Sequence, residues 1–373
     1  MTKNLAVSIL IFINSLFCLK YLERVTEFYV LITVLYLVIQ VLLVFQGYRF
    51  FNLKIVRRIV DASIIVMPIL ISIISFFIII PEDLNVDRWS VIDSFLTELF
   101  KGNYPYKATS HVGNYPGPMP FYFIIAIPFF LFKFYSLLSL AGFILLGLFN
   151  RIDSKKYQSY LIMAILSVPM LWEVMTLSNI ITYSSMVVIG LYYFDKSLVG
   201  NGKRLLLLSI VLGFLLSTRS VFSLAYIVFF LSYLTTKTLR VKEFLKYTFF
   251  VLITFSLTFL PLIIAFPDQF LEMNPFIIQS SFLLPQKYMP VLFATAFLLG
   301  WKARNSQNRF LFSGYVLFFS ILFYAFYVVY KHGLSSAFFN SFVDISYFLF
   351  CVPFLLLGLN KEFDKSTVLD TSK

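Results

Sequence analysis

The sequence predicts an all-α polytopic membrane protein with about 12 transmembrane helices. Of its 373 residues, 60% are hydrophobic and 13% are charged, whereas soluble domains carry about 25% charged residues. Apolar windows of about 20 residues, enough to cross a bilayer as a helix, recur from one end of the chain to the other. Because a backbone in lipid must satisfy its hydrogen bonds internally, these windows predict helices. Residues 1–360 are predicted to form a single transmembrane domain.

The order of apolar windows and basic loops predicts the course of the chain. Lys and Arg collect in short loops, which the positive-inside rule assigns to the cytoplasm. They are Arg49, Lys54, Arg57, Arg58, Arg151, Lys155, Lys156, Lys196, Lys203, Arg204, Lys237, Arg240, Lys242, Lys246, Lys302, Arg304 and Arg309. The predicted spans lie near 5–19, 28–46, 61–80, 119–149, 158–176, 179–195, 205–217, 219–236, 247–266, 289–300, 310–330 and 342–359. Both termini are then cytoplasmic, and residues 361–373 are predicted to be a disordered tail.

Three of these spans depart from a simple straight helix. The span 119–149 is long and contains Pro128 and Lys133, so we expect it to be bent or tilted. The spans 205–217 and 289–300 are short for a full bilayer. Short or broken helices often surround a cavity in membrane proteins, so these spans favour an internal site.

The net charge and the cysteines do not indicate another class of protein. The net charge of +12 comes largely from the basic loops, so topology explains it and nucleic-acid binding is not predicted. Cys18 and Cys351 lie inside apolar spans and are predicted to pack as small apolar side chains, with no disulfide or metal framework visible. The N-terminal segment "LAVSILIFINSLFCL" lacks a small-residue cleavage site, so it is predicted to be a retained helix.

The longest predicted outer segment is the loop 81–118, which is polar and rich in glycine and proline. Within it "DRWSVIDSFLTELFKG" predicts an amphipathic surface helix over 88–100, with Asp87 as N-cap and Gly102 as its C-terminal stop. The apolar face comprises Trp89, Ile92, Phe95, Leu96, Leu99 and Phe100, and the polar face Ser90, Asp93, Thr97, Glu98 and Lys101. Acids grouped at the end of a transmembrane helix are costly, which suggests a functional role.

This loop resembles the corresponding loop of the GT-C superfamily of multi-spanning glycosyltransferases. The likeness lies in an acidic residue after a transmembrane helix, a surface helix, "KGNYPY", and the Pro-rich "YPGPMPFYF" that opens the next span. It covers residues 80–123. A second segment, "LGFLLSTRSVFSLAYIVFF", resembles the family's pattern of a short helix, a basic residue and another short helix. The family usually has its acidic loop after the first span, whereas here the loop follows the third.

The resemblance implies a hexosyltransferase of the bacterial inner (plasma) membrane with its active site on the outer (periplasmic) face. The expected donor is a polyprenyl-phosphate-linked sugar, and the expected acceptor is a glycan or a lipid. The attacking acceptor hydroxyl must lose a proton, and a carboxylate near the outer surface can serve as its general base. The leaving group is an anionic lipid phosphate, and the bidentate fork of an arginine suits phosphate.

Four residues carry the predicted chemistry. Asp87 is the predicted base because it matches the family's first acidic position, although it also fits a helix N-cap, and one residue can do both. Asp83 and Glu82 are the reserve bases, with ordinary interfacial solvation as the alternative. Arg219, in "STRS", is the predicted phosphate ligand, and its alternative is a side chain that only reaches the outer headgroups.

Five further side chains at the predicted outer ends are candidates for substrate binding. His111 is a candidate donor to the phosphate or the sugar, against the alternative of a bystander in the loop. Tyr104 and Tyr106 can stack on a sugar or belong to the interfacial aromatic belt. Glu173 and Asn179 lie together near an outer helix end, where they can contact the acceptor or pair locally.

Two other functions and one cofactor stay open at this point. A transporter or flippase of lipid-linked sugars needs the same helices and a phosphate-binding arginine, but it does not need an acidic surface helix and often has internal repeats, which we do not find. An O-antigen polymerase or ligase also uses polyprenyl-linked donors, but usually carries its large outer loop late in the chain.

The three neighbouring acids are compatible with a divalent metal ion, although no fixed ligand spacing demands one. Asp344, with Lys331 and His332, is a further outer polar group without an assigned use.

Overall fold

The computed structural model describes residues 2–50, 54–153, 167–199, 202–282, 284–340 and 342–360. The regular structure within these ranges is entirely helical, as predicted. The α-helices are α1 (Thr2–Leu22), α2 (Tyr29–Phe50), α3 (Lys54–Ile78), α4 (Arg88–Phe100), α5 (Pro120–Leu131), α6 (Tyr135–Asp153), α7 (Val168–Met175), α8 (Ile180–Lys196), α9 (Gly202–Leu216), α10 (Ser223–Thr235), α11 (Val241–Leu257), α12 (Leu260–Ala265), α13 (Pro267–Glu272), α14 (Pro275–Phe282), α15 (Met289–Lys302), α16 (Ser306–His332), α17 (Leu334–Phe338) and α18 (Val352–Leu359). The predicted tail 361–373 and most of the first half of the predicted span 158–176 lie outside the described residues.

Three helical stretches are long and apolar enough to cross a membrane: Lys3–Leu22, Val241–Ala265 and Ser306–His332. The second of them comprises α11 and α12. The number rises to five if each of two bent helix pairs counts as one span. Within the described residues this is fewer than the predicted number of about 12. The difference arises because several apolar windows are divided into shorter helices; the window 342–359, for example, is a 3₁₀ segment, Ile345–Cys351, followed by α18. Hydropathy depends on apolar composition alone, so it does not distinguish a continuous helix from a broken one.

The segment predicted as the span 119–149 is two helices with a sharp bend between them. The chain turns by 119° between α5 and α6. The bend lies at Lys133, whose φ is +55°, and Pro128 stays inside α5. Lys133 and the Tyr135 hydroxyl both bond to the Asp93 carboxylate of α4. The bend therefore lies against α4, so both ends of α5 lie next to the outer loop.

The helix predicted over 88–100 is confirmed as α4, Arg88–Phe100. It ends where Gly102 adopts a φ of +79°, and the Asn103 backbone N–H donates back to the Glu98 carbonyl at 2.9 Å. This left-handed stop is the usual role of a glycine after a helix. Two residues differ from the predicted faces: Ser90 is buried and Phe100 is exposed, while Arg88, which was assigned to neither face, is also buried.

Helix ends that the sequence assigns to the outer side contact one another. The Met119 backbone N–H at the start of α5 donates to the Thr218 carbonyl, after α9, at 3.2 Å. At the end of α1, Lys20 is buried and its Nζ donates to the Val343 carbonyl at 3.1 Å. Segments far apart in the chain therefore meet at one end of the helices, where the outer loop also lies.

The predicted cytoplasmic ends contact one another in the same way. The Gln307 amide donates to the Gly358 carbonyl at 2.7 Å. Arg309 was expected in an exposed basic loop, but it is buried in α16 and forms an ion pair with Asp195 at the end of α8. Its Nε also donates to Ser232 Oγ at 3.1 Å. Arg309 thus joins three helices, because a buried guanidinium requires a carboxylate and hydrogen-bond acceptors around it.

A close contact between α6 and α8 fixes the start of α8. A Cβ atom on Gly142 would lie 2.4 Å from the Thr182 backbone nitrogen, so glycine is required there. The Thr182 hydroxyl donates to the Leu138 carbonyl at 2.6 Å across the same contact. The first turn of α8 is thereby held against α6, beside the polar cluster described next.

Candidate active site

Arg88 is the buried centre of a polar cluster where α4 begins. Only 5% of its surface is exposed, and its Nη2 donates to Asp344 Oδ2 at 2.6 Å and to Ser346 Oγ at 2.5 Å. The guanidinium lies 5.7 Å from the ring centroid of Trp172 and 5.6 Å from that of Tyr347. These contacts satisfy a charge that would be costly to bury alone. They also join the outer-loop helix to the segment that precedes α18.

Asp344 is the carboxylate that pairs with Arg88. It is the N-cap of Ile345–Cys351, and its Oδ1 accepts the Ser346 backbone N–H at 3.0 Å. Burial alone would raise its pKa, but the Arg88 guanidinium and the Ser346 donors outweigh burial, so the pKa of Asp344 is lowered from its ordinary value of 3.8. Asp344 is therefore ionised at neutral pH. Sequence reasoning missed Arg88 altogether, although its position next to Asp87 in "DRW" is a signal for it.

Asp87 occupies the N-cap position of α4, but its side chain does not cap the helix. Its Oδ2 instead accepts hydrogen bonds from Ser110 Oγ at 3.1 Å and from Asn114 Nδ2 at 2.8 Å. The carboxylate also interacts electrostatically with Arg88 and with the Tyr347 hydroxyl. Asp87 is thus a carboxylate oriented by the loop that covers the start of α4, and the capping alternative does not account for its side chain.

Arg219 is a cation without a carboxylate partner. It precedes the 3₁₀ turn Ser220–Phe222, and its guanidinium lies 5.0 Å from the ring centroid of Tyr122. Among the described residues, no acid forms a salt bridge with it. The direct contact of Arg219 is with the Tyr122 ring, and both Arg219 and Asp87 act electrostatically on the Tyr122 and Tyr347 hydroxyls.

Glu173 and Asn179 lie at the second sharp bend, where the chain turns by 110° between α7 and α8. Glu173 is fully buried, and its Oε1 accepts the Ile181 backbone N–H at 2.9 Å. A carboxylate at a helix N-terminus is favourable because it meets free N–H groups and the positive end of the helix dipole. Asn179 Oδ1 accepts the Tyr122 hydroxyl at 2.8 Å, while Glu173 Oε2 and Asn179 Nδ2 have no hydrogen-bond partner among the described residues. Asn179 therefore positions the Tyr122 hydroxyl, and each of the two side chains retains one polar atom without a partner in the described part of the chain.

His111 is engaged through both ring nitrogens. Nε2 lies 2.8 Å from the Leu84 carbonyl, which can only accept, so Nε2 carries a proton. Nδ1 lies 2.6 Å from Ser90 Oγ, and the ring stacks on Trp89 with 5.4 Å between centroids. These contacts hold the loop over the start of α4. They leave neither nitrogen free for the predicted contact with a phosphate or a sugar.

Tyr104 and Tyr106 are both buried and brace the outer segments. The Tyr104 hydroxyl donates to the Met273 carbonyl, just after α13. The Tyr106 hydroxyl donates to the Pro118 carbonyl at 3.0 Å, within the outer loop itself. Packing inside the protein therefore explains both tyrosines without a bound sugar. Their burial also differs from the exposure expected of an aromatic belt at the membrane interface.

Glu82 and Asp83 lie apart from the cluster. Both are exposed in the 3₁₀ turn Pro81–Asp83. Their carboxylates form no salt bridge with any described residue. Across the described ranges, no three His, Cys, Asp or Glu side chains lie close enough together to hold a metal ion. Asp87 is therefore the acid of the predicted three that other polar side chains orient.

The cluster combines predicted and unpredicted residues. Of the predicted residues, Arg219 and Asn179 both contact Tyr122, the first at its ring and the second at its hydroxyl. No protein-family model, curated protein or solved structure matches this chain. The chemistry of the cluster must accordingly be judged from its own residues: one oriented carboxylate, one unpaired guanidinium and a buried ion pair.

Proposed function

We propose that this chain is a polytopic membrane glycosyltransferase of the GT-C type. In this proposal it moves a sugar from a polyprenyl-phosphate-linked donor to a glycan or lipid acceptor at the outer face of a bacterial plasma membrane. The observation that carries the proposal is the Asp87 carboxylate, held by Ser110 and Asn114, together with the Arg219 guanidinium, which lies over the Tyr122 ring and forms no salt bridge with a described acid. A general base and a phosphate ligand are the two groups that this reaction needs most.

Asp87 is the general base of the proposed reaction. The acceptor hydroxyl oxygen bonds to the anomeric carbon while its proton passes to the Asp87 carboxylate. Ser110 and Asn114 donate to the Oδ2 atom alone. Oδ1 can therefore receive the proton, while the two donors hold the carboxylate in place.

Arg219 stabilises the leaving group. As the new bond forms, the bond between the anomeric carbon and the phosphate oxygen breaks, and polyprenyl phosphate leaves with the additional negative charge. A guanidinium with no carboxylate partner can meet that charge through two parallel hydrogen bonds. Within the described residues Arg219 has no salt bridge that would first have to break.

The position of the cluster supports a lipid-linked substrate. It lies where the predicted outer helix ends meet, as the contacts of Met119 with Thr218 and of Lys20 with Val343 indicate. A lipid phosphate resides at the headgroup level, which is also the level of a helix end rather than a helix centre. The outer-loop helix α4 begins at the same end.

The test of the proposal is the substitution Asp87→Asn. It preserves size and hydrogen bonding but removes the proton acceptor, so we expect sugar transfer to fall about 10²-fold or more with normal membrane expression. Transfer is measured in nanodiscs with a panel of polyprenyl-phosphate hexoses and mixed membrane glycolipids as acceptors. Asp83→Asn is the matched control and should cost far less, because Asp83 is exposed and lies outside the cluster.

Two outcomes count against the proposal. If Asp87→Asn transfers sugar like the wild type while Asp83→Asn or Glu82→Gln does not, the base is one of the exposed acids instead. If all three variants keep full activity, no acid of this loop is the base, and the proposed mechanism fails.

A further inference from the structure

A polar cleft lies on the side of α4 that faces the late part of the chain. Its volume is about 600 Å³. One wall is α4, a second is the loop after it, and the third is α13, some 170 positions further along the sequence. The side chains that matter for binding are Thr97, Thr109 and Gln269. None of the residues given a catalytic role above lines this cleft.

Contacts across the cleft keep its walls together. The Tyr104 hydroxyl donates to the Met273 carbonyl. Lys107 Nζ donates to Glu272 Oε2 at 2.9 Å. Both contacts join the outer loop to the end of α13, on either side of the cleft. The cleft is thus formed between segments that are far apart in the sequence and that these contacts hold together.

Each charged group at the cleft has a partner of opposite sign. The pairs are Asp93–Lys133, Glu98–Lys101 and Lys107–Glu272. The hydrogen bonds from Lys101 and from Asn103 lower the pKa of Glu98, so it is ionised at neutral pH. The charges of the three pairs cancel. The cleft therefore has no excess charge with which to select a phosphate or another anion.

The remaining polar side chains are free to bind a ligand. Thr97, Thr109 and Gln269 line the cleft, and within the described residues their side chains make no hydrogen bond. Hydroxyl and amide groups both donate and accept, which matches the hydroxyl groups of a sugar. Free hydroxyls, an amide and balanced charge together fit a neutral, hydroxyl-rich ligand.

We infer that this cleft binds a neutral oligosaccharide, which is the acceptor glycan of the proposed reaction. Its identity as the acceptor rests on the proposed function; binding of a neutral oligosaccharide does not. Thr109 lines the cleft, and the next residue, Ser110, donates to the Asp87 carboxylate. Along α4, Thr97 lies about 15 Å from Asp87 at a rise of about 1.5 Å per residue. A glycan whose reacting hydroxyl is at Asp87 must be several sugars long to reach Thr97.

The experiment measures glycan binding without catalysis. Wild-type protein in nanodiscs is titrated with glucose, mannose and galactose oligomers of increasing length, and binding is followed by saturation-transfer NMR. We expect the affinity to rise with oligomer length. Thr97→Trp fills the cleft and should lower the affinity for long oligomers at least about 10-fold, whereas Thr97→Val removes only the hydroxyl and should lower it about 2- to 12-fold. Ser335→Trp is the matched control, exposed at the same end of the molecule but outside the cleft, and should bind like the wild type.

The outcomes separate this inference from the proposed function. Binding is measured apart from transfer, so oligomer binding by a wild-type protein that transfers no sugar supports the cleft and overturns the transferase. If no neutral oligomer binds to the wild type, or if Thr97→Trp binds as well as the wild type, the cleft assignment is wrong whatever the transfer activity. Tighter binding of a uronic-acid oligomer than of neutral oligomers overturns the assignment to a neutral ligand.

Discussion

Breaking the Arg88–Asp344 ion pair should destabilise the folded protein in the absence of any substrate. In the substitution Asp344→Asn, Arg88 loses the carboxylate that it meets at 2.6 Å. The Arg88 side chain is 6% exposed and the Asp344 side chain 39% exposed. The cost therefore lies mainly in the guanidinium, which stays buried without its principal counter-charge.

The magnitude follows from these exposures. Removing one partner of a fully buried ion pair costs about 3–5 kcal/mol. Water reaches part of the Asp344 side chain, and Asp87 and Glu173 still attract Arg88, so we expect a smaller loss of about 2–4 kcal/mol. The measurement is equilibrium unfolding in mixed detergent micelles, with helix content as the readout.

An exposed ion pair at the same end of the molecule is the matched control. Lys107 and Glu272 are 2.9 Å apart, with side chains 49% and 67% exposed. Such a pair contributes about 0–1 kcal/mol, so Glu272→Gln should have almost no effect. If Asp344→Asn costs no more than Glu272→Gln, the reasoning from burial is refuted.

The same pair predicts a dependence of stability on pH. The folded-state pKa of Asp344 is lowered, so its contribution is complete above the ordinary carboxyl pKa of 3.8 and is lost as the pH falls through the lowered value. Wild-type protein should therefore lose stability more steeply than Asp344→Asn as the pH falls below 3.8. Parallel curves for the two proteins over that range would contradict the assigned ion pair.

Two further predictions concern the lipid donor and the topology. Arg219→Ala should weaken binding of a polyprenyl-phosphate analogue by about 2–5 kcal/mol. Arg219→Lys should weaken it by less, since the lysine keeps the charge but loses the fork of the guanidinium. If Arg219→Ala binds the analogue as well as the wild type does, at unchanged thermal stability, Arg219 is only an interfacial anchor. In a background without Cys18 and Cys351, a cysteine at Asn103 should react with an impermeant thiol reagent on intact cells, and a cysteine at Ser154 should not. Equal labelling at both positions, or the reverse pattern, would exclude an active site on the outer face.

The outer-loop helix could be predicted closely because its signals are local. Its start, its apolar spacing and its stop at Gly102 all lie within one short stretch, and α4 matches the predicted bounds 88–100. A bend or tilt within 119–149 was predicted for a similar reason, although its angle of 119° and its place at Lys133 were not. Helix formation and termination depend on neighbouring residues, so a local pattern contains most of the information.

The partners of the site residues could not be predicted in this way. Arg88 and Asp344 are 256 positions apart, and no local pattern relates one to the other. Nor does a local pattern distinguish Asp87, which Ser110 and Asn114 orient, from the exposed Asp83. His111 was a candidate ligand by residue type, yet Leu84 and Ser90 occupy its ring nitrogens.

The sequence by itself determined the helical class and the apolar character of the chain. It also determined the surface helix and the outer acids and cation from which a site can form. These properties add up residue by residue, since hydropathy and helix capping depend on each side chain and its near neighbours. Only the tertiary structure decided how many apolar windows are continuous helices, that Arg88 has a carboxylate partner while Arg219 has none among the described residues, and that α13 closes a cleft beside α4. The physical reason is that an ion pair or a cleft depends on the distance between remote segments, which the packing of the whole chain sets.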